Sequence, residues 1–294
     1  MNTILIYTNA NYKPSIHDLK TTIEILHKFD KYVFIHNPLI SEVLPLKGNI
    51  KPEKLFSYSK LEDIKRPLNL MLSLGGDGTF LEGLHFIQNN NIPILGINTG
   101  RLGFLANLNL NELENALEFI FRGKYTIDQR TMLKLESEHN FKDFNYALNE
   151  FTIHKLNTSS MLIIDLLING VHVNTYWADG IIISTPTGST AYSLSAGGPI
   201  LHPDSKNFVI TPIAVHNLNV RPLIVPDNSI ISFKVSGRSE NCMISLDHKS
   251  LPAPINSTFT ITKADIHANL LHCRSYNFFN TLKSKLMWGL DKRN

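Results

Sequence analysis

The sequence predicts a two-part chain. An α/β domain with a mostly parallel sheet spans residues 1–125, and a β-rich domain spans 126–272. A tail, 273–294, packs back on the first domain. Three observations carry this reading. Short apolar runs alternate with helical stripes in the first part, as in βαβ units. After about residue 126 the stripes give way to short β-rich runs. Helical spacing returns only near the end, at Phe279, Leu282 and Leu286.

The elements follow in order. Ile4 to Tyr7 is a short apolar run that suits a buried strand. Ser15 is an N-cap candidate with Asp18 in the first turn, and Ile16, Leu19, Ile23, Leu26 and Phe29 recur at helical spacing. Tyr32 to Ile35 reads as the second strand. Residues 36–67 are poorly periodic and rich in proline and lysine, which predicts loop with one short helix. Leu68 to Leu74 is a third strand running into Gly75-Gly76-Asp77-Gly78-Thr79, and Phe80 to Gln88 has helix character. Ile92 to Ile97 is another buried strand. Asn109 and Glu112 form a capping-box pattern ahead of the stripe Leu113, Ala116, Leu117, Ile120 and Phe121, with Gly123 as a natural stop. In the second part the β-rich runs are Met132–Leu135, Phe151–His154, Met161–Ile168, Ile181–Ser184, Phe208–Thr211, Ile230–Val235 and Phe259–Thr262. Asn169-Gly170 between Ile168 and Val171 signals a two-residue hairpin.

Composition narrows the function classes. The chain has 294 residues, 43% of them hydrophobic and 18% charged, enough to bury a core without staples. Its net charge of +3 comes from 28 basic and 25 acidic residues, which disfavours a polybasic nucleic-acid binder. Two cysteines, Cys242 and Cys273, rule out a disulfide scaffold and cannot build a zinc site alone. The N-terminus lacks a basic region and a long apolar run, and no stretch approaches the roughly 20 apolar residues of a membrane span. The cytosol is the expected compartment, with no membrane and no nucleic acid as partner.

Several familiar motifs are missing. There is no G-x-x-x-x-G-K-[ST], no H-E-x-x-H and no G-x-S-x-G, and the G-x-G-x-x-G pattern fails at Leu81. What remains is Gly75–Thr79 between a strand and a helix. Glycines there allow a tight turn and let N–H groups approach an anion, and the helix N-terminus suits phosphate. An acid inside a phosphate cradle is costly unless it has a task, such as holding a metal or accepting a proton. The plainer alternative makes Asp77 an N-cap. The second cluster, Asp179 to Pro199, delivers a dense run of hydroxyls and small residues from an apolar strand. Such a run is usually a solvated loop, but the flanking strand and Tyr192 favour a binding site. A third pair, Asn149-Glu150, has donor and acceptor capacity that suits a ribose diol.

Together these pieces resemble the NAD kinase family. The resemblance is carried by Gly75–Thr79, Gly96–Leu105, Asn149-Glu150, Asp179–Pro199, Thr211-Pro212-Ile213 with His216, and Arg221-Pro222. It extends from about residue 70 to Leu286-Met287-Trp288-Gly289. The Asp179–Pro199 run is highly specific, whereas the glycine–aspartate motif is shared with diacylglycerol-type lipid kinases and resembles that of phosphofructokinases.

The resemblance implies a Rossmann-like α/β domain plus a β-rich domain with the active site between them, in a homodimer or homotetramer. It implies transfer of the γ-phosphoryl group of ATP to the 2′-hydroxyl of the adenosine ribose of NAD. Asp77 would be the acid–base residue, flanked by substrate-binding Gly76 and Gly78, with Gly75 and Thr79 on phosphate. Asn149 and Glu150 would bind the nicotinamide-side ribose, and Asp179 the carboxamide end. Thr187, Thr190, Ala191, Tyr192 and Ser195 would line the dinucleotide, with Phe104 near the adenine. Neutralisation falls to Mg²⁺ on the donor phosphates, because no lysine sits in the glycine loop; no residue is assigned as a metal ligand.

Two departures stand out. Many relatives have Asp-Gly-Gln where this chain has Asp247-His248-Lys249, so His248 and Lys249 join the substrate-binding candidates. Trp177 stands near the nicotinamide end, where relatives of this subgroup often have a basic residue. Two other functions compete. A lipid kinase would need a membrane-facing surface, for which the tail with Lys283, Lys285, Lys292 and Arg293 around Leu282, Leu286 and Trp288 is the candidate. A non-catalytic nucleotide sensor would keep the pocket without turnover, which the presence of Asp77 disfavours.

Overall fold

The computed structural model describes residues 1–9, 15–45, 48–88, 91–100, 103–139, 141, 145–156, 161–273 and 277–289. The chain divides into two compact units, Met1–Gln129 with Ala268–Asn294, and Arg130–His267. Residues 268–272, expected in the β-rich part, therefore group with the first unit.

The first unit contains β1 (Thr3–Tyr7), α1 (Ile16–Lys28), β2 (Tyr32–His36), α2 (Asn37–Val43), β3 (Leu55–Tyr58), β4 (Leu70–Leu74), α3 (Asp77–Ile87), β5 (Ile94–Asn98), β6 (Leu108–Asn109) and α4 (Leu113–Phe121). Its strands pair in parallel in the order β3-β2-β1-β4-β5. Ser15 caps α1, its Oγ accepting the Asp18 N–H at 3.1 Å. Leu19, Ile23 and Leu26 of that helix are buried against Ile4, Ile6, Val33 and Ile35 of the strands. The Asn109/Glu112 capping box forms across a short 3₁₀ turn, Leu110–Glu112, that leads into α4. Gly123 ends α4 at φ +76°, in the left-handed region.

Residues 36–67 are richer than loop with one helix. Besides α2 they hold β3 and two 3₁₀ turns, Pro52–Lys54 and Leu61–Asp63. β3 is four residues long and only Leu55 and Tyr58 are buried, so it offers too few repeats to show a strand period.

The second unit contains the remainder of β7 (Thr126–Glu136), then β8 (Tyr146–Ala147), β9 (Glu150–Lys155), β10 (Leu162–Ile168), β11 (Val171–Ala178), β12 (Gly180–Ser184), α5 (Tyr192–Ser195), β13 (Asn207–Ile213), β14 (Leu223–Pro226), β15 (Ile231–Gly237), β16 (Asn241–Leu246), β17 (Lys249–Pro254) and most of β18 (Thr258–His272). One antiparallel sheet runs β14-β13-β12-β9-β16-β17. β11, β10, β15 and β18 lie side by side in another. Phe151, Phe208, Phe233, Phe259, Ile181 and Ile244 from both sheets form one buried core. Asn169-Gly170 joins β10 to β11 with φ of +51° and +79°, the backbone a primed hairpin turn requires. β17 carries Pro252 and Pro254 and sits at a sheet edge, where a missing N–H is tolerated.

The last helix, α6 (Phe278–Leu286), belongs to the first unit. The expected stripe Phe279, Leu282, Leu286 is corrected: Phe278 and Leu282 are buried, while Phe279 and Leu286 are exposed. Both pairings obey helical spacing, so apolar residues on two faces left the docked face open to misreading.

Candidate active site

In the first unit β4 is fully buried and ends at the glycine loop. Gly75 has φ +156°, and a Cβ on it would meet Thr79 Oγ1 at 2.3 Å, so glycine is required. Gly76 and Gly78 have open space where a Cβ would stand. Gly76 is the N-cap of α3, which corrects the plain alternative that Asp77 caps the helix; Asp77 is its first residue. Sheet order reverses direction between β1 and β4, the place where doubly wound folds bind ligands beyond the strand C-termini. A crevice of about 280 Å³ lies there, lined by Asn9, Gly76, Gly78, Thr79, Asn98, Thr99 and Gly100. Thr99 Oγ1 is buried in it without a hydrogen-bond partner.

The Asp77 carboxylate has a defined setting. Oδ2 accepts the Phe104 N–H at 2.8 Å, and Oδ1 accepts those of Leu105 and Ala106 at 3.0 and 2.9 Å. A Cβ on Gly103 would stand 1.8 Å from Oδ1. Phe104 thus reaches Asp77 through its backbone, with its ring half-buried. Arg101 and Leu102 lie outside the described residues.

In the second unit the hydroxyl run splits in two. Ser184, Thr185, Ser189 and Ser193 are buried and bonded within the protein: to Thr185 O, Leu148 O, Pro186 O and Thr211 Oγ1. Thr190 and Ala191 are half-buried, and Tyr192 and Ser195 are exposed. Thr187 is buried, and its Oγ1 accepts Arg130 Nη1 at 3.2 Å. Arg130 is a charged residue with only 4% exposure. Gly188 is pressed on the neighbouring loop: a Cβ there would lie 2.1 Å from Asn149 O.

Asn149 and Glu150 are pinned by Asp247, which the motif comparison named without giving it a role. Asp247 Oδ2 accepts the Leu148 N–H at 2.8 Å, and Oδ1 accepts those of Asn149 and Glu150 at 2.8 and 3.1 Å. Asp247 holds φ +50° in the turn between Leu246 and Lys249. His248 in that turn is exposed, and Lys249 begins β17 half-buried. Glu150 is 8% exposed and its Oε2 has no hydrogen-bond partner. Burial first, and the Asp247 charge second, push its carboxyl up to about 8, against a Tyr192 N–H that favours the ionised form. Tyr192 Oη lies 3.0 Å from His154 Nε2.

Asp179 is already paired, its Oδ1 2.6 Å from Lys155 Nζ. Trp177 is 52% exposed, so it is no core packing residue. Among the described residues no three His, Cys, Asp or Glu side chains converge on a metal position. Nor is any helix there long and apolar enough to cross a membrane. Sequence reasoning missed Arg130, Lys155 and His154, whose roles depend on strand register and leave no local signal.

The ATP-NAD kinase N-terminal domain model matches residues 22–125, and the ATP-NAD kinase C-terminal domain model matches 148–273. An NAD kinase of Cytophaga hutchinsonii is 47% identical over 89% of this chain and 89% of its own length. One from Flavobacterium psychrophilum is 48% identical over 81% of this chain and 82% of its own length. In structure, yeast NADH kinase complexed with NADH superposes with a TM-score of 0.89 at 24% identity, over 99% of this chain and 89% of that one. An Archaeoglobus fulgidus NAD kinase in complex with ATP gives 0.73 at 24% identity, over 98% of this chain and 99% of that one. Those two establish the fold, while the sequence relatives and the two domain matches establish more: the chain belongs to the NAD kinase family.

Proposed function

We infer that the chain transfers the γ-phosphoryl group of ATP to the 2′-hydroxyl of the adenosine ribose of NAD, forming NADP. The observation that carries this is the Asp77 carboxylate, held by three backbone amides beside the glycine-lined crevice. A carboxylate offers roughly four acceptor positions. Three are occupied and one on Oδ2 is left for a substrate hydroxyl. A sugar hydroxyl is too weak an acid to ionise beforehand, so Asp77 orients it and takes its proton as the bond forms. The 2′-oxygen bonds the γ-phosphorus, the bond from that phosphorus to the bridging oxygen breaks, and ADP leaves with the electron pair.

The glycine loop, with Gly75 to Thr79, serves the phosphates through N–H groups and the α3 dipole. With no cluster of metal-ligating side chains among the described residues, Mg²⁺ fits as an ion carried by the donor phosphates and water. There it would neutralise phosphate charge. In the second unit, Asn149 and Glu150 take the nicotinamide-side ribose, and the unpartnered Glu150 Oε2 is an acceptor site for a hydroxyl. Thr187, Thr190, Ala191, Tyr192 and Ser195 line the dinucleotide, Asp179 and Trp177 serve its carboxamide end, and His248 and Lys249 border it. The relatives give no support to a lipid kinase or a sensor. We place the enzyme in the cytosol as a homodimer or homotetramer.

The test is NADP formation by the purified protein with NAD and MgATP. NADP appearing only when ATP and Mg²⁺ are both present supports the reading. No NADP despite measurable NAD binding overturns it in favour of a sensor or another acceptor.

A further inference from the structure

His154 stands outside the assigned site and touches a residue inside it. On β9, Phe151 and Ile153 belong to the buried core, so Glu150, Thr152 and His154 project from the opposite face. Ile182 of β12 pairs with Thr152 on one side and with Thr211 of β13 on the other, which puts Thr211 on that same face. α5 therefore bridges β13 and β9 across β12. Ser193 Oγ lies 2.9 Å from Thr211 Oγ1, and Tyr192 Oη lies 3.0 Å from His154 Nε2. The β12 residue paired with His154 is Gly180, where a Cβ would stand 2.3 Å from Ile153 O, so β12 places no side chain beside the imidazole.

α5 is a single turn without a side-chain cap, too short to fix its side chains by itself. Ser193 anchors the backbone of the turn, and His154 holds the tip of the Tyr192 ring. The two rings are parallel to within 11° with centroids 6.3 Å apart. Joined through Nε2 and Oη at that spacing, they lie end to end and neither covers the face of the other. Tyr192 is 39% exposed, so its ring is held at one end and open to a ligand. An exposed ring that is free to turn must be immobilised when ligand binds, at a cost in affinity, and a ring held beforehand avoids that cost.

We propose that His154 is a positioning residue for the dinucleotide: its imidazole fixes the Tyr192 ring in place and thereby sets the affinity for NAD. This rests on the reading above that Tyr192 lines the dinucleotide.

The experiment compares the full-length wild type with His154→Phe, His154→Gln, Tyr192→Phe and the double variant His154→Phe/Tyr192→Phe. NAD binding is measured by calorimetry beside kcat and the KM values for NAD and ATP. His154→Phe keeps a flat ring but has no hydrogen-bonding atom. It should weaken NAD about three- to tenfold and raise KM for NAD to match, with kcat, KM for ATP and the melting temperature near wild type. His154→Gln, whose amide reaches where Nε2 does, should recover most of the loss. Tyr192→Phe removes the other end of the same bond, so the double variant should bind NAD no more weakly than Tyr192→Phe alone. Wild-type NAD affinity in His154→Phe overturns the proposal, and so do additive losses in the double variant. A loss that follows the melting temperature and that His154→Gln does not relieve also overturns it. Tyr192→Ala separates the proposal from the reading beneath it. Weaker NAD binding there, beside wild-type affinity in His154→Phe, keeps Tyr192 in the site and removes His154. Unchanged affinity in both removes both. A His154-dependent NAD affinity in a wild type that makes no NADP supports the positioning role and sinks the kinase reading.

Discussion

Asp77 and Asp247 stand in different units and make the same local structure. Each carboxylate takes three successive backbone N–H groups, from residues 104–106 and 148–150 respectively, with one bond on Oδ2 and two on Oδ1. Their surroundings differ. Asp77 lies between two glycines with open space, at the start of an eleven-residue helix. Asp247 is locked in a hairpin turn, and its charge falls on a second, buried carboxyl, Glu150. A carboxylate clamp can therefore present its own remaining lone pair, as at Asp77, or fix a loop and perturb a neighbour, as at Asp247. The first arrangement suits chemistry on a ligand and the second suits recognition.

The largest expected effect separates these roles. Asp77→Asn keeps the size but loses the proton acceptor, so kcat for NADP formation should fall by about 10²–10⁴ while NAD still binds. Asp247→Asn should cost roughly 1–3 kcal/mol of stability through a mispaired amide, with kcat within about tenfold of wild type. Steady-state kinetics and denaturant titration on both variants decide it. Equal losses of kcat would show that the two clamps do the same work.

The clamps also differ in how far they could be read from sequence. Gly75–Thr79 is contiguous, and its glycines and acid announce a site without a structure. Asp77 and its donors lie 27 to 29 residues apart, separated by α3 and β5. Asp247 and its donors lie 97 to 99 residues apart and meet only because β16 pairs with β9. Local chemistry was legible throughout: the Ser15 cap, the Asn109/Glu112 box and the Asn169-Gly170 turn all form. The hydroxyl run was legible as a cluster but not as two sets, because which hydroxyls turn inward depends on contacts with Leu148, Leu201 and Thr211.

A pair of glycine substitutions breaks each clamp from the opposite side. At Gly103 an added Cβ meets the Asp77 carboxylate, a side chain that can swing away only by leaving its amides. At Gly188 it meets the O, C and Cα atoms of Asn149, backbone that cannot yield without moving the 148–150 loop. Gly188→Ala should therefore lose about 1–3 kcal/mol of stability, together with NAD affinity. Gly103→Ala should lose mainly kcat, by tenfold or more, with a smaller change in melting temperature. If Gly103→Ala is the less stable protein and keeps its turnover, Asp77 does not depend on its clamp.

The smallest effect isolates the charge that Asp247 imposes. Glu150 is protonated in the folded protein up to about pH 8, whereas an exposed glutamate ionises near 4.5. Between those values the folded state holds a proton that the unfolded chain has lost. This contribution to stability is fully present below pH 4.5 and is lost as pH rises toward 8, by about 1.4 kcal/mol per pH unit at most. Glu150→Gln cannot lose a proton, so its stability relative to wild type should rise by about 1 kcal/mol from pH 6 to pH 7 and level off above pH 8. Urea titrations of both proteins across this range measure the difference directly. In an Asp247→Asn background the like charge is gone and burial alone remains, so the same substitution should show a shorter slope ending at lower pH. Parallel pH profiles for wild type and Glu150→Gln would mean that Glu150 is ionised in the folded protein. The buried Oε2 would then have to be solvated, and the two clamps would be electrostatically alike.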